Sequence, residues 1–378
     1  MNILQLGKFY PIRGGVEKVM WDLTRGLSEA GVSCDMLCAS LRPGRTDSKD
    51  EAFVQPDGSL RLNGHGRVFR VKALARKSAT MISPAMISWL RRNKENYDII
   101  HVHHPDPMAA LALRLSGFKG KVVLHWHSDI VSQKFLLALY RPLQSWLIRR
   151  ADMIVGTTPA YIKASPWLRE VQHKCSYVPI GIRPIVPDPA GAEAIRSRFP
   201  GKTIILSIGR LVPYKGFHVL IKAMKYLPDD YQLLIGGKGP LLKSLEKLID
   251  DEKLRDRICI EGYLYEGVIP AYYGACDIFA LSSVMKTEAF GIVQIEAMSC
   301  GKPVVATTIP GSGVSWVNED GVSGRNVTPG DAKALADAIE NVMENYRNFS
   351  EGALRRYGEL FCEDKMINSI LKIYEALV

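Results

Sequence analysis

The chain has 378 residues, 47% of them hydrophobic, and a formal net charge of +10. That length exceeds one ordinary core and predicts two domains, while the lack of any apolar run of roughly 18 residues excludes a membrane-spanning helix. The charge is lopsided: residues 1–183 hold 27 Lys and Arg against 14 Asp and Glu, the remainder 22 against 25.

The basic first half carries no helix-turn-helix, zinc-finger or base-stacking signature, so nucleic acid is not the expected partner. Its densest stretch, Arg67 to Lys94, has eight basic residues and no acid, interleaved with Met81, Ile82, Met86, Ile87 and Trp89. On either side of Pro84 it can present an apolar and basic face to an anionic membrane surface. Seven cysteines without a C-x-x-C pair read as buried thiols of a reducing compartment. The N-terminus enters a strand-like run directly, without signal-peptide regions, which predicts a cytoplasmic protein.

In chain order, Met1 to Gly7 reads as a strand, and a helix follows through the glycine loop Gly14-Gly15, with Val16, Val19, Met20, Leu23 and Leu27 on one face. A strand from Cys34 to Ala39 completes a βαβ unit. Nothing is assigned to residues 42–66. Strands at Tyr97 to Val102 and Lys121 to Trp126 end in His101, His103, His104, His125 and His127. Alternation places His101 with His103, and His125 with His127, on one face. Such imidazoles can share a cation, but no Cys completes a set, and no metal is expected. His127 falls where a parallel sheet opens its crevice, which marks it as a ligand residue.

A proline-rich segment, Tyr177 to Pro189, separates the halves. The alternation then restarts with a strand at Thr203 to Ile208, followed by Gly209, Arg210 and Lys215. Another strand at Tyr231 to Ile235 runs into Gly236-Gly237. The stretch Ser282 to Thr307 reads as loop, helix, strand, with Glu288 on the loop, Phe290 to Ser299 helical, and Glu296 inside the helix. The amides of Phe290, Gly291 and Ile292 open that helix and offer an anion site. Glu288 beside them suits the hydroxyls of a phosphorylated sugar. Arg210 and Lys215 can neutralise a diphosphate leaving group without a metal. An amphipathic helix is expected at Ala332 to Tyr346 and a last one at Lys365 to Leu377. The fold class predicted is α/β, two doubly wound Rossmann-like domains facing across a cleft. The expected domain bounds are 1–183, 184–355 and 356–378.

The motifs Gly14-Gly15-Val-Glu, His127-Ser-Asp, Val178-Pro-Ile-Gly-Ile, Gly209-Arg-Leu-Val-Pro-Tyr-Lys-Gly, Gly237-Lys-Gly-Pro and Glu288 through Glu296 resemble, in order and spacing, the family 4 retaining glycosyltransferases of the GT-B fold. One departure is Ile180-Gly-Ile-Arg183, where that family often has Asn-Gly-Ile-Asp. The resemblance implies a nucleotide-diphosphate sugar on the second domain, with no other cofactor and no metal, a saccharide acceptor on the first, and a last segment, 356–378, that crosses back onto the first. Arg210 and Lys215 would hold the diphosphate, the amides of Gly291 and Ile292 the distal phosphate, Glu288 the sugar and Glu296 the ribose. Gly14 and Gly15 would close over the phosphates, and His127 would reach the sugar. Gly209, Gly237 and Phe290 belong to the same donor-binding motifs. Similarity to transferases of bacterial surface polysaccharides, of the O-antigen type, points to GDP-mannose, with UDP-hexoses next, and to a lipid-linked acceptor at the inner membrane face. A sugar-nucleotide epimerase is the competing class. A dehydrogenase is disfavoured because Gly237-Lys-Gly239-Pro lacks the third glycine of the dinucleotide fingerprint.

Overall fold

The structure is a computed structural model, and it describes residues 1–12, 14–43, 54–55, 59–62, 64–77, 80–130 and 134–378. It forms two compact units: Met1–Gly181 with Glu363–Val378, and Ile182–Cys362.

Unit 1 begins β1 (Asn2–Phe9), α1 (Gly15–Glu29), β2 (Ser33–Ser40), β3 (Leu60–Arg61), β4 (Arg67–Lys72), β5 (Ala75–Lys77), β6 (Thr80–Ile82) and α2 (Pro84–Asn93). It continues through β7 (Ile99–His104), α3 (Pro107–Ser116), β8 (Lys121–Trp126), α4 (Lys134–Arg150), β9 (Met153–Gly156), α5 (Pro159–Ala164) and β10 (Cys175–Tyr177). Among the described residues its main sheet runs β10-β9-β8-β7-β1-β2-β4-β3. Every pairing is parallel except β3 with β4. A strand covered on both faces reads as a near-continuous apolar run, and Ile3, Leu4 and Leu6 of β1 are fully buried. Helix α3 starts where Pro107 presets φ and the Asp106 carboxylate accepts from the Met108 and Ala109 amides.

The stretch Arg67 to Lys94 holds two kinds of element. Its part before Pro84 forms β4 and the antiparallel pair β5–β6, and only α2 is helical. The antiparallel pairing of Lys77 with Thr80 is one that a pattern of mixed apolar and basic residues does not reveal. Within residues 42–66, the short β3 pairs with β4; 44–53, 56–58 and 63 lie outside the described residues.

Unit 2 runs α6 (Pro189–Arg196), β11 (Thr203–Ile208), α7 (Phe217–Ala223), β12 (Tyr231–Gly236), α8 (Leu242–Asp251), β13 (Ile258–Gly262), α9 (Ile269–Ala275) and β14 (Ile278–Ala280). It then runs α10 (Ile292–Ser299), β15 (Val304–Thr307), α11 (Val314–Val317), β16 (Gly324–Val327), α12 (Ala332–Glu344) and α13 (Tyr346–Arg356). Its parallel sheet has the order β13-β12-β11-β14-β15-β16. Leu220 of α7, Leu233 of β12 and Ile339 of α12 share its core, all fully buried. Helix α12 ends at Glu344, and α13, which the sequence pattern did not separate, follows at once.

The last helix, α14 (Glu363–Glu375), packs within unit 1. Arg25 of α1 bonds and ion-pairs with Glu363. Ile367 lies so close to Gly26 that a Cβ there would meet its Cδ1 at 2.6 Å. The chain therefore leaves unit 1 after Gly181 and re-enters it at Glu363. These points stand beside the expected boundaries at 183 and 355.

Candidate active site

In a doubly wound sheet the ligand crevice lies at the carboxyl ends of the strands where their order reverses. In unit 2 that point falls between β11 and β14. Gly209, Arg210 and Lys215 follow β11, and Glu288 and Gly291 follow β14. The Lys215 Nζ and Glu288 Oε2 atoms are 2.5 Å apart, with side chains 12% and 11% exposed. Burial works against the charge on Lys215, but Glu288 more than offsets it and holds the amine above its usual value. Lys215 also senses Glu296, so both glutamates act on one cation.

The pair is held from several sides. Ser283 Oγ donates to Glu288 Oε2 at 2.9 Å, and the Ser312 hydroxyl donates to the Glu288 carbonyl. Ser282 Oγ donates to the Lys215 carbonyl at 3.1 Å, and the Val284 amide to that of Tyr214 at 2.8 Å. The Lys215 stem lies across Gly209, whose Cβ would come within 3.2 Å of Lys215 Cε. Next to it, Gly237 passes so near the Gly209 carbonyl that a Cβ would meet the oxygen at 1.9 Å.

Helix α10 starts at Ile292 with Gly291 as its N-cap, two residues later than the pattern predicted at Phe290. Gly291 has φ +75°, a left-handed conformation that a side chain strains. Its Cβ would also meet Gln294 Nε2 and Leu281 Cδ2 at 2.8 Å. The Ile292 and Val293 amides, first in the helix, have no acceptor one turn earlier, while the Gln294 amide donates to the Gly291 carbonyl at 2.9 Å. Phe290 contributes its backbone there, because its ring is buried edge-on against Phe361. Glu296 accepts a hydrogen bond from Tyr273 Oη at 2.8 Å. Burial, then the Glu296 charge, push the Tyr273 phenol well above its usual value.

Arg210 is exposed, and among the described residues it has no carboxylate partner. Tyr214 senses Lys215, Glu288 and Arg210 together, which places the three around one ring. Lys215 and Glu288 offset one another, and Arg210 adds an exposed cation at this end of unit 2. The arrangement can hold a diphosphate on two cations and a helix start and offer a carboxylate to hydroxyls. The sequence did not disclose Ser283 or Tyr273: neither follows a spacing rule, and only folding brings them to the glutamates.

In unit 1 the strand order reverses between β7 and β1. The ends of β1, β7 and β8 bring together Lys8, Asp106, His103 and His127. His101, His103, His125 and His127 form the stack that alternation predicts, with His125 over His127 at 4.0 Å and 6°. His103 Nδ1 lies 2.9 Å from His127 Nε2. All are buried. Burial pushes the imidazoles of His104 and His125 down to about 3 and those of His101, His103 and His127 well below the usual value. Among the described residues, His103, His125 and His127 are the cluster whose ligand atoms, within 4.8 Å of one another, can approach one ion. Face-to-face stacking keeps the lone pairs of His125 and His127 parallel, so one ring must turn before both could ligate.

Lys8 was not singled out from sequence. It adopts φ +58°, and its amide and amine bond to Asp106 and the Pro105 carbonyl. A non-glycine residue in this region costs about 1 kcal/mol or more. Gly14 caps α1, and the Glu17 carboxylate folds over it, with Oε2 2.0 Å from where a Cβ would stand. The glycine loop thus faces an acid that the motif reading left unweighed.

Two parallel α/β units, each with polar side chains gathered where its strand order reverses, define a two-domain enzyme of the GT-B class. Solved structures agree on the fold. HepE of Anabaena, crystallised in complex with UDP, aligns over 100% of both chains with TM-score 0.78 and 21% identity. Sucrose-phosphate synthase of Thermosynechococcus elongatus aligns over 100% of this chain and 99% of its own, with TM-score 0.78 and 22% identity. The Glycosyltransferase Family 4 model matches residues 13–184 and the Glycosyl transferases group 1 model residues 193–358. The chain belongs to the glycosyltransferases, a family 4 domain followed by a group 1 domain. O-antigen chain mannosyltransferase C of Escherichia coli is 29% identical over 100% of this chain and 99% of its own. D-rhamnosyltransferase WbpZ of Pseudomonas aeruginosa is 29% identical over 96% and 92%. The chain is accordingly a glycosyltransferase of polysaccharide or glycolipid biosynthesis with mannosyltransferase relatives.

Proposed function

We propose that this glycosyltransferase moves mannose from GDP-mannose to a lipid-linked saccharide in surface polysaccharide synthesis, with retention of configuration and without a metal ion. The observation that carries it is the Lys215–Glu288 pair, with Arg210 unpaired beside it, at the strand-order reversal of unit 2. Arg210 and Lys215 take the charge that develops on the departing diphosphate, the term that dominates this chemistry. The amides of Gly291 and Ile292 hold the distal phosphate, Glu288 the sugar hydroxyls and Glu296 the ribose. His127 contacts the sugar.

Retention by double displacement needs a second carboxylate beside Glu288. Glu296 accepts from Tyr273 and lies within the helix, so it is not placed for that role. A front-face path is therefore proposed, in which the departing phosphate takes the acceptor proton. The mannose assignment follows the Escherichia coli relative. A second reading, a UDP-hexose donor, is favoured by the UDP that HepE holds.

A thermal-shift series with GDP, UDP, dTDP and ADP sugars separates these readings, since a ligand that binds the native state alone stabilises it by about 2.7 kcal/mol at a hundredfold excess over its Kd. Stabilisation by GDP-mannose is expected. A shift with UDP sugars alone selects the second reading, and no shift with any of them removes the nucleotide-sugar site.

The lipid-linked acceptor fits the surface of unit 1. Among the described residues no helix is long and apolar enough to cross a membrane. Helices α2, α3 and α4 contain basic residues but no acid, and Leu115 and Leu139 stand exposed at 42% and 69%. A basic and apolar face of this kind suits peripheral binding at the inner face of the cytoplasmic membrane. Flotation with liposomes should show binding only when anionic lipid is present; equal, negligible binding to neutral and anionic vesicles counts against it.

A further inference from the structure

The hydrogen bonds behind His127 determine which of its ring nitrogens carries the proton. Gln5, at the centre of β1, donates through Nε2 to Tyr374 Oη at 3.0 Å, and the same nitrogen lies 3.7 Å from Cys34 Sγ. Its Oε1 faces His103 Nε2 at 2.8 Å. An amide oxygen can only accept, so His103 Nε2 carries a proton. A neutral imidazole then has its lone pair on Nδ1. His127 Nε2, 2.9 Å away, must donate to it. Tyr374 Oη, accepting from Gln5, is free to donate to His101 Nδ1.

The chain has two self-consistent polarities. Turning the Gln5 amide over would reverse every proton from Tyr374 to His127. In the structure the amide nitrogen lies toward the Cys34 sulfur and the Tyr374 oxygen, which is the first polarity; the tautomer of His127 distinguishes the two. Burial of the whole group supports neutral rings. The last partner, Tyr374, belongs to α14, the helix that follows unit 2 in sequence and packs within unit 1.

We propose that Gln5, His103 and Tyr374 are positioning residues that hold His127 as its Nε2–H tautomer, so that His127 Nδ1 accepts a hydrogen bond from a sugar hydroxyl. The proposal rests on the reading of His127 as sugar-facing. It adds a chemical preference: a neutral acceptor nitrogen takes a hydroxyl and rejects a phosphate or carboxylate oxygen, which has no proton to give. It also makes the C-terminal helix a working part of the site in unit 1.

The test uses the full chain labelled with ¹⁵N-histidine. Long-range ¹H–¹⁵N correlation reads each ring's tautomer, with His127 assigned by its loss in His127→Gln. Wild type should show His127 protonated at Nε2 with a pyridine-type Nδ1. Gln5→Leu should mix the tautomers and lower kcat about tenfold, one lost hydrogen bond's worth, with the KM for the donor little changed. Tyr374→Phe removes a single hydroxyl and should mix them partially; it serves if Gln5→Leu does not fold. An Nδ1–H tautomer or an imidazolium in wild type overturns the proposal, as does an unchanged tautomer in both Gln5→Leu and Tyr374→Phe. If the tautomers behave as expected but His127→Gln turns over at the wild-type rate, the sugar-facing reading fails and the acceptor role falls with it.

Discussion

Lys215→Ala is expected to lower kcat/KM by about 10²- to 10³-fold, the range for removing a preorganised charge donor. The loss is double in origin. The substitution removes a cation from the diphosphate and leaves the Glu288 carboxylate, 11% exposed, without the amine that neutralises it. An unpaired acid beside a phosphate repels it, and an uncompensated buried charge destabilises the fold by about 3 kcal/mol or more. Arg210→Ala should cost less, because Arg210 is exposed and no buried partner is orphaned; the loss should fall mainly on donor KM. Glu288→Gln should chiefly lower kcat, and Glu296→Gln should chiefly weaken donor binding. Steady-state kinetics with a melting curve for each variant checks all four. Lys215→Ala with wild-type turnover would remove the diphosphate assignment, and exchanged phenotypes for the two glutamates would show that their roles are reversed.

Unit 1 should unfold in mild acid, well before unit 2. His104 and His125 are held at about 3, and His101, His103 and His127 well below the usual value, by burial. In the unfolded chain each titrates near 6.5. Between those values the unfolded state binds protons that the folded state refuses, so stability is complete above about pH 6.5 and falls as pH drops toward 3. Each histidine contributes a loss of about 1.4 kcal/mol per pH unit in that window, so five could remove about 7 kcal/mol by pH 5.5. Asp22, Asp35 and Asp106, raised by burial, act in the opposite sense and reduce the net fall. Even so the change is comparable with the 5–15 kcal/mol that holds a domain together. Unit 2 contains only His218 and lacks this liability. Calorimetry between pH 7.5 and 5 should therefore resolve one transition that collapses on acidification and one that persists. Two transitions moving in parallel would contradict the buried, neutral stack.

Much of this architecture was legible because it rests on local rules. Alternation placed His101 with His103 and His125 with His127, and the structure stacks them. Strand, glycine turn and helix placed Arg210, Lys215, Glu288 and Gly291 at the ends of β11 and β14. What escaped depends on contacts between distant segments. Gln5 reads as one polar residue in an apolar strand, and only the sheet and α14 give it His103 and Tyr374 as partners. Lys8 acquires meaning from its backbone angle and from Asp106, 98 residues away. The stretch from Arg67 to Ile82 received no element because short strands and a mixed amphipathic helix share the same composition. Glu17 over Gly14 was invisible for a similar reason, since a glycine motif says nothing of which side chain folds across it.

The central claim, transfer from a nucleotide sugar through the Lys215–Glu288 centre, is tested most directly by product analysis. The full chain would be incubated with GDP-mannose and a lipid-linked saccharide, and the product's anomeric configuration read by NMR beside a Lys215→Ala control. A mannosylated acceptor with the donor's configuration, absent or greatly reduced in the variant, is the predicted result. An inverted anomer, or equal product from wild type and Lys215→Ala, would contradict it.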